Sequence, residues 1–229
     1  MSVESQPIAV RINETEEVSA LLWAPKDSRA VFVFAHGAGA GMTHPFMVSF
    51  AAGLAARDVA TLRFQFPYME RGSRRPDSPR VAHAAVRAAV EEAARRLPGV
   101  PLFAGGKSFG GRMSSQAQAE SPLPGVRGLI FLGFPLHPAG KPSQERSDHL
   151  WNVDCPLLFL QGTRDELADF GLLAEVVLNL GSRATLKVFA DADHSFHVRV
   201  RSGADDEAVQ RAMVGEAADW IGSALLRPR

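Results

Sequence analysis

The 229-residue chain has a single cysteine, Cys155, and no charge of either sign in excess: Lys plus Arg and Asp plus Glu each number 25. One cysteine excludes an internal disulfide, so the fold must hold without that staple. A lone thiol also fits a reducing compartment. The balanced charge removes the basic footprint of a nucleic-acid or anionic-membrane binder. No apolar run approaches the roughly 18 residues of a spanning helix. The opening stretch MSVESQPIAVRINETEE lacks the basic region and apolar core of a secretory leader. The expectation is a cytoplasmic protein with no membrane or nucleic-acid partner. His44, His83, His137 and His149 are scattered without zinc-ligand spacing, so neither a metal nor another cofactor is expected.

Apolar residues make up 46% of the chain and charged residues 22%, the balance of an ordinary globular domain. At this length roughly 70% of the unfolded surface can be buried, enough for one domain spanning 1–229. Short apolar runs alternate with longer helical patterns. Ile8–Ile12 and Val18–Trp23 read as an antiparallel pair. Val31–Ala35 suits a strand buried on both faces and Thr61–Phe66 repeats its pattern; Pro101–Ala104, Leu129–Phe134, Leu157–Gln161 and Thr185–Phe189 complete the series as short strands. Helices are expected over His44–Arg57, from an N-cap at Ser78 to Leu97, and over Ser108–Glu120, Leu167–Leu180 and Asp205–Leu226. Tyr68–Asp77 and Pro138–Asp148 read as long loops. Such alternation requires a mostly parallel α/β sheet, here of about eight strands, with helices on both faces. Chemistry in such sheets sits beyond the carboxyl ends of the strands.

One of those ends carries Gly105-Gly106-Lys107-Ser108-Phe109-Gly110-Gly111, which contains G-x-S-x-G between a strand and a helix. This is the setting of a nucleophile elbow: the glycines let neighbouring chain pack close while Ser108 takes a strained conformation. At the helix N-terminus the Phe109 N–H can serve as one oxyanion donor. A second donor is expected from His36-Gly37-Ala38-Gly39-Ala40-Gly41, after the strand Val31–Ala35. Ala38 is the choice and Gly39 the next. The loop lacks the spacing of a phosphate-binding motif, and His36 reads as structural.

The partners of such a serine follow in the order acid, then histidine. Gly162-Thr163-Arg164-Asp165-Glu166 follows the strand Leu157–Gln161, and Asp165 is the candidate acid, with Glu166 and Asp169 as competitors. Ala190-Asp191-Ala192-Asp193-His194-Ser195-Phe196-His197 follows the last strand. His194 is the candidate base and His197 its rival. A serine hydroxyl is a weak nucleophile until a base takes its proton, and the acid fixes the base's tautomer.

These residues resemble the α/β-hydrolase superfamily. The narrower resemblance is to compact predicted hydrolases related to dienelactone hydrolase, with relatives among testis-expressed proteins and a chromatin acetyltransferase subunit. The matching segments are 36–40, 105–111, 161–165, 191–196 and, most distinctive, Arg63-Phe64-Gln65-Phe66-Pro67-Tyr68-Met69-Glu70. Dienelactone hydrolases proper use cysteine at the elbow. Ser108 stands there in this chain, so dienelactone chemistry is not carried over. The resemblance implies hydrolysis and does not name a substrate.

The combined reading is a cofactor-independent ester hydrolase working through an acyl-enzyme on Ser108, with a small-molecule acyl substrate. A thioesterase or peptidase with the same residues, or a non-catalytic binding protein, are the alternatives. Gly39 and Lys107 are candidate substrate contacts, although for Lys107 a solvated or salt-bridged side chain is the plainer expectation. Arg63 is expected to form a structural ion pair rather than a substrate clamp. Arg71, Arg74 and Arg75 should lie on a solvated loop, and Cys155 in the core. The connection between Phe134 and Leu157 is too short for a helical cap, so an open, shallow site is expected.

Overall fold

Six consecutive apolar residues, Ala30–Ala35, form a fully buried strand, β3, as a strand covered on both faces requires. The computed structural model describes residues 5–200, 203 and 205–226; the first four residues of the opening stretch lie outside them. Along the chain run β1 (Gln6–Arg11), β2 (Glu17–Trp23), β3, α1 (Pro45–Ala55), β4 (Val59–Phe64), α2 (Pro67–Glu70) and α3 (Pro79–Arg96). Then come β5 (Leu102–Lys107), α4 (Phe109–Glu120), β6 (Val126–Leu132), β7 (Leu157–Gly162), α5 (Phe170–Leu180), β8 (Ala184–Phe189) and α6 (Asp206–Leu225).

The strands join in one eight-stranded sheet of order β1-β2-β4-β3-β5-β6-β7-β8. β1 and β2 are antiparallel to their neighbours, and β4 to β8 run parallel with β3. The alternation of side chains along β3 divides the core. Val31, Val33 and Ala35 pack in the layer with α3, α4 and α5, whereas Ala30, Phe32 and Phe34 pack in the layer with α1 and α6. This is the α/β-hydrolase architecture expected from the sequence.

Strand order reverses at β3: the chain steps outward to β4 and then returns to β5 on the other side. Loops leaving β3 and β5 therefore diverge and open a crevice at the carboxyl edge of the sheet. No α-helix covers that edge between β6 and β7. Their connection winds into a 3₁₀ segment, Glu145–Asn152, which lies against α4. No helix among the described residues is long and apolar enough to cross a membrane.

Three local expectations change. The loop expected from Tyr68 begins as α2, because Pro67 pre-sets the first helical φ after an extended Phe66. The second loop, 138–148, runs into that 3₁₀ segment from Glu145. β5 continues through Gly105, Gly106 and Lys107, residues without strand propensity that are strand here because β3 and β6 press on both sides.

Candidate active site

Gly105 and Gly106 have no room for a side chain: a Cβ would fall 2.0 Å from the Ile130 carbonyl oxygen at Gly105 and 2.1 Å from that of Ala35 at Gly106. The chain then turns sharply at Ser108, which adopts φ 49° and ψ −115° as the N-cap of α4. A positive φ on a non-glycine residue is strained. It is held by the Ser108 N–H donating to the Leu132 carbonyl and the Arg112 N–H donating to the Ser108 carbonyl, each at 3.1 Å. The hydroxyl is thereby lifted out of the sheet at the N-terminus of a helix.

His194 sits on a tight turn after β8. The Asp193 carboxylate accepts from the Ser195 N–H (2.8 Å) and the His197 N–H (3.0 Å), and the Asp193 N–H donates to the His197 carbonyl. Phe196 pins the turn from below, buried against Phe46 and Phe189. The turn carrying Asp165 is laced to it: Arg164 N–H donates to Ala192 O, and Arg164 Nη1 donates to Asp191 O.

These three turns bring Ser108, His194 and Asp165 into one hydrogen-bonded line. His194 Nε2 lies 2.8 Å from Ser108 Oγ. His194 Nδ1 lies 2.8 and 2.9 Å from the two Asp165 oxygens. A carboxylate only accepts, which assigns the imidazole proton to Nδ1 and leaves Nε2 to accept from the serine. The Asp165 side chain is wholly buried. Burial alone would raise its pKa. Hydrogen bonds from His194, the Leu167 N–H and Gln161 outweigh burial and hold it below the usual carboxylate value. The competitors lie elsewhere. Glu166 is exposed, Asp169 caps α5 by accepting from the Leu172 N–H, and His197 is exposed and paired with Asp206.

Above Ser108 is a cleft of about 180 Å³ walled by Gly37, Ala38, Ala40, Phe46, Met47, Lys107 and His194. Neither the Ala38 nor the Phe109 N–H donates to another group among the described residues. Gly39, at φ 78°, lies at the exposed tip of its loop and is not part of the cleft wall. The loop is braced from beneath. Buried His36 accepts from the Phe66 N–H at Nε2 (3.0 Å) and donates from Nδ1 to Gly37 O (2.8 Å), and burial pushes its pKa down to about 4.

Arg63 departs from its expected ion pair. Its guanidinium is buried and donates to the Met42 carbonyl (3.1 Å) and to Ser5 Oγ (2.9 Å), with no carboxylate partner among the described residues. Gln65 accepts from the N–H of the same Met42 at 3.0 Å, so two β4-side residues hold the main chain of one loop residue from both sides. Lys107 is neither solvated nor salt-bridged. Its Nζ donates to the His194 carbonyl at 2.5 Å and lies 5.3 Å from the centre of the Phe196 ring. Arg71 pairs with Glu16 and Asp77 on the surface. Cys155 is half-buried at the core's edge, and burial pushes its thiol up to about 12.

Gln161 was not singled out from sequence, yet its amide donates to Asp165 Oδ2 at 2.6 Å and its oxygen accepts from the Phe134 N–H at 3.0 Å. The available signal was a lone polar residue closing the apolar run Leu157–Gln161. Among the described residues, no three His, Cys, Asp or Glu side chains gather as a metal site.

Residues 28–222 match the family model described as alpha/beta hydrolase domain. Among solved structures, a dienelactone hydrolase from Anabaena variabilis is 19% identical, with a TM-score of 0.78 over 97% of this chain and 99% of that one. An alpha-beta serine hydrolase homologue from Coxiella burnetii is 20% identical, with a TM-score of 0.72 over 91% and 97%. A serine hydrolase without lid from Xanthomonas campestris is 22% identical, with a TM-score of 0.68 over 93% and 95%. At these identities the likeness is one of fold.

Proposed function

The chain belongs to the alpha/beta hydrolase domain family, and on that footing we propose that it is a serine hydrolase cleaving carboxylic esters of small or accessible acyl groups. The observation that carries the reading is the continuous line from Ser108 Oγ through His194 to buried Asp165, with both hydrogen bonds at 2.8 Å.

The reaction follows from the proton positions. Ser108 Oγ attacks the acyl carbon while His194 Nε2 takes its proton, and Asp165 stabilises the imidazolium. Negative charge gathers on the former carbonyl oxygen, where the free N–H groups of Phe109 and Ala38 are the donors at hand. Loss of one such donor elsewhere slows turnover by about 10²–10³. The imidazolium then protonates the departing alkoxide, leaving an acyl-enzyme and an alcohol. Water repeats the sequence: His194 takes its proton, the hydroxide adds to the acyl carbon, and Ser108 leaves with the proton returned.

Substrate size follows from the cleft. At about 180 Å³, with Phe46 and Met47 in its wall and only a 3₁₀ segment in the connection between β6 and β7, the cleft admits a short or flat apolar acyl group. The similar lidless hydrolase from Xanthomonas campestris supports an open site. The unpaired Cys155 supports a cytoplasmic setting.

The test is a panel of p-nitrophenyl esters from acetate to palmitate. Turnover should be highest for short acyl chains and fall with length, and Ser108→Ala should abolish it. A sharp preference for palmitate would contradict the open-site reading.

A further inference from the structure

Lys107 is the residue immediately before Ser108, on a central strand, while His194 follows the edge strand β8, three positions across the sheet. A base on an edge turn needs a tie to the strand that carries the nucleophile. The turn's other main-chain and carboxylate bonds are internal, through Asp193, run to the neighbouring Asp165 turn, or tie His197 and Val198 to Asp206 at the start of α6; none of these reaches the nucleophile strand. Resting on the hydrolase reading above, we propose that Lys107 is a positioning residue: its ammonium, bonded to the His194 main-chain oxygen, latches the base onto the nucleophile strand.

The surroundings are built for an ammonium. A Cβ at Gly133 would lie 3.1 Å from Lys107 Nζ, 3.5 Å from Asp165 Oδ2 and 3.5 Å from His194 Cε1, so the absent side chain leaves the space in which these three groups meet. The Phe196 ring closes one side at cation–π distance. Asp165 and Asp193 are near enough to favour the charge but form no ion pair with it. A direct ion pair would draw the Asp165 carboxylate away from His194. Instead the Gln161 amide and His194 occupy that carboxylate, and the lysine is given a neutral carbonyl.

The latch has a pH limit. Burial lowers the Lys107 pKa to about 8, against the opposing pull of Asp165 and Asp193. Below that pH the charged donor holds the turn; above it, a neutral amine makes a weaker bond. Tyr68 and Cys155 are both pushed upward by burial and stay protonated. An alkaline fall in wild-type turnover that is absent from Lys107→Met therefore reports on Lys107.

The experiment compares wild type, Lys107→Met and Lys107→Arg by the rate of Ser108 labelling with a fluorophosphonate and by kcat and KM on p-nitrophenyl acetate, from pH 6.5 to 10. This range runs from about 1.5 units below the expected midpoint to about 2 units above it. Displacement of a catalytic group by about 1 Å costs on the order of 100-fold, so Lys107→Met should lose about that factor in kcat and labelling with KM unchanged. Wild-type kcat should fall about tenfold as pH rises through the midpoint. The fall should vanish in Lys107→Met and be deferred in Lys107→Arg, whose guanidinium stays charged. Labelling of Lys107→Met at the wild-type rate overturns the proposal while leaving the hydrolase reading intact. Should Lys107→Met not fold, a wild-type profile that stays flat across the range overturns it equally. A wild type that neither labels nor turns over any ester overturns the hydrolase reading and this one with it.

Discussion

The side-chain amide of Gln161 bridges two loops: its nitrogen donates to Asp165 Oδ2 at 2.6 Å, while its oxygen accepts from the Phe134 N–H at 3.0 Å. Both contacts are buried, so one residue at the end of β7 fixes the acid and also satisfies the chain as it leaves β6. A buried acceptor and a buried donor both depend on it, and each costs about 1–3 kcal/mol when left unpaired.

Gln161→Leu should therefore lower stability by about 2–4 kcal/mol and reduce kcat about tenfold or more by freeing the Asp165 carboxylate to rotate. Gln161→Glu should be worse for turnover, because it sets a second carboxylate against the first. Denaturant midpoints read the first effect, and ester kinetics on folded protein read the second. Equal kcat in Gln161→Leu and wild type would remove Gln161 from the machinery.

Gly106→Ala places a Cβ 2.1 Å from the Ala35 carbonyl oxygen, which belongs to a central strand and cannot yield. The variant should fail to accumulate as folded protein. Gly72 also has positive φ, at 69°, but open space around it. Gly72→Ala should cost only about 1–2 kcal/mol of backbone strain and leave turnover unchanged. Circular dichroism and ester kinetics on the pair separate crowding from conformational cost.

Burial pushes His36 from its ordinary value of 6.5 down to about 4. A depressed histidine pKa means that, between those two values, the unfolded chain takes up a proton that the folded chain refuses. Stability is complete above about pH 6.5, falls as pH drops towards about 4, and levels off below. His149, lowered to about 4 by burial and by Arg112 and His83, acts in the same window. Each contributes about 3 kcal/mol over the full window. Chemical denaturation at pH 7 and pH 4.5 should show the loss, and His149→Gln should reduce its slope. Equal stability at the two pH values would show that both histidines protonate freely in the folded state.

Much of this arrangement was legible because strands leave short apolar runs, uninterrupted where both faces are buried, and the candidate residues sit just after them. Asp165 follows the fully buried β7, whereas His194 follows the half-exposed edge strand β8, and the structure brings Ser108, Asp165 and His194 into hydrogen-bond contact. Long side chains were harder to place. Lys107 and Arg63 looked like groups needing carboxylates, yet each bonds to a main-chain oxygen, His194 and Met42 respectively. Such partners depend on which loops the sheet brings together, and composition carries no trace of them. The extension of β5 was also hidden, since Gly105 and Gly106 are strand residues only because Ile130 and Ala35 approach so closely. Gly39 was singled out from its place in a small-residue loop, and in the structure it takes a left-handed φ of 78° at the exposed tip of that loop.

The central claim is that the Ser108 hydroxyl is a nucleophile activated by His194 and Asp165. The most direct measurement is covalent labelling of folded protein by a fluorophosphonate, with the modified residue located by mass spectrometry. Wild type should label at Ser108, Ser108→Ala should not label, and Asp165→Asn should label more slowly by about 10³–10⁴. Equal labelling of wild type and Ser108→Ala, or none in either, would contradict it.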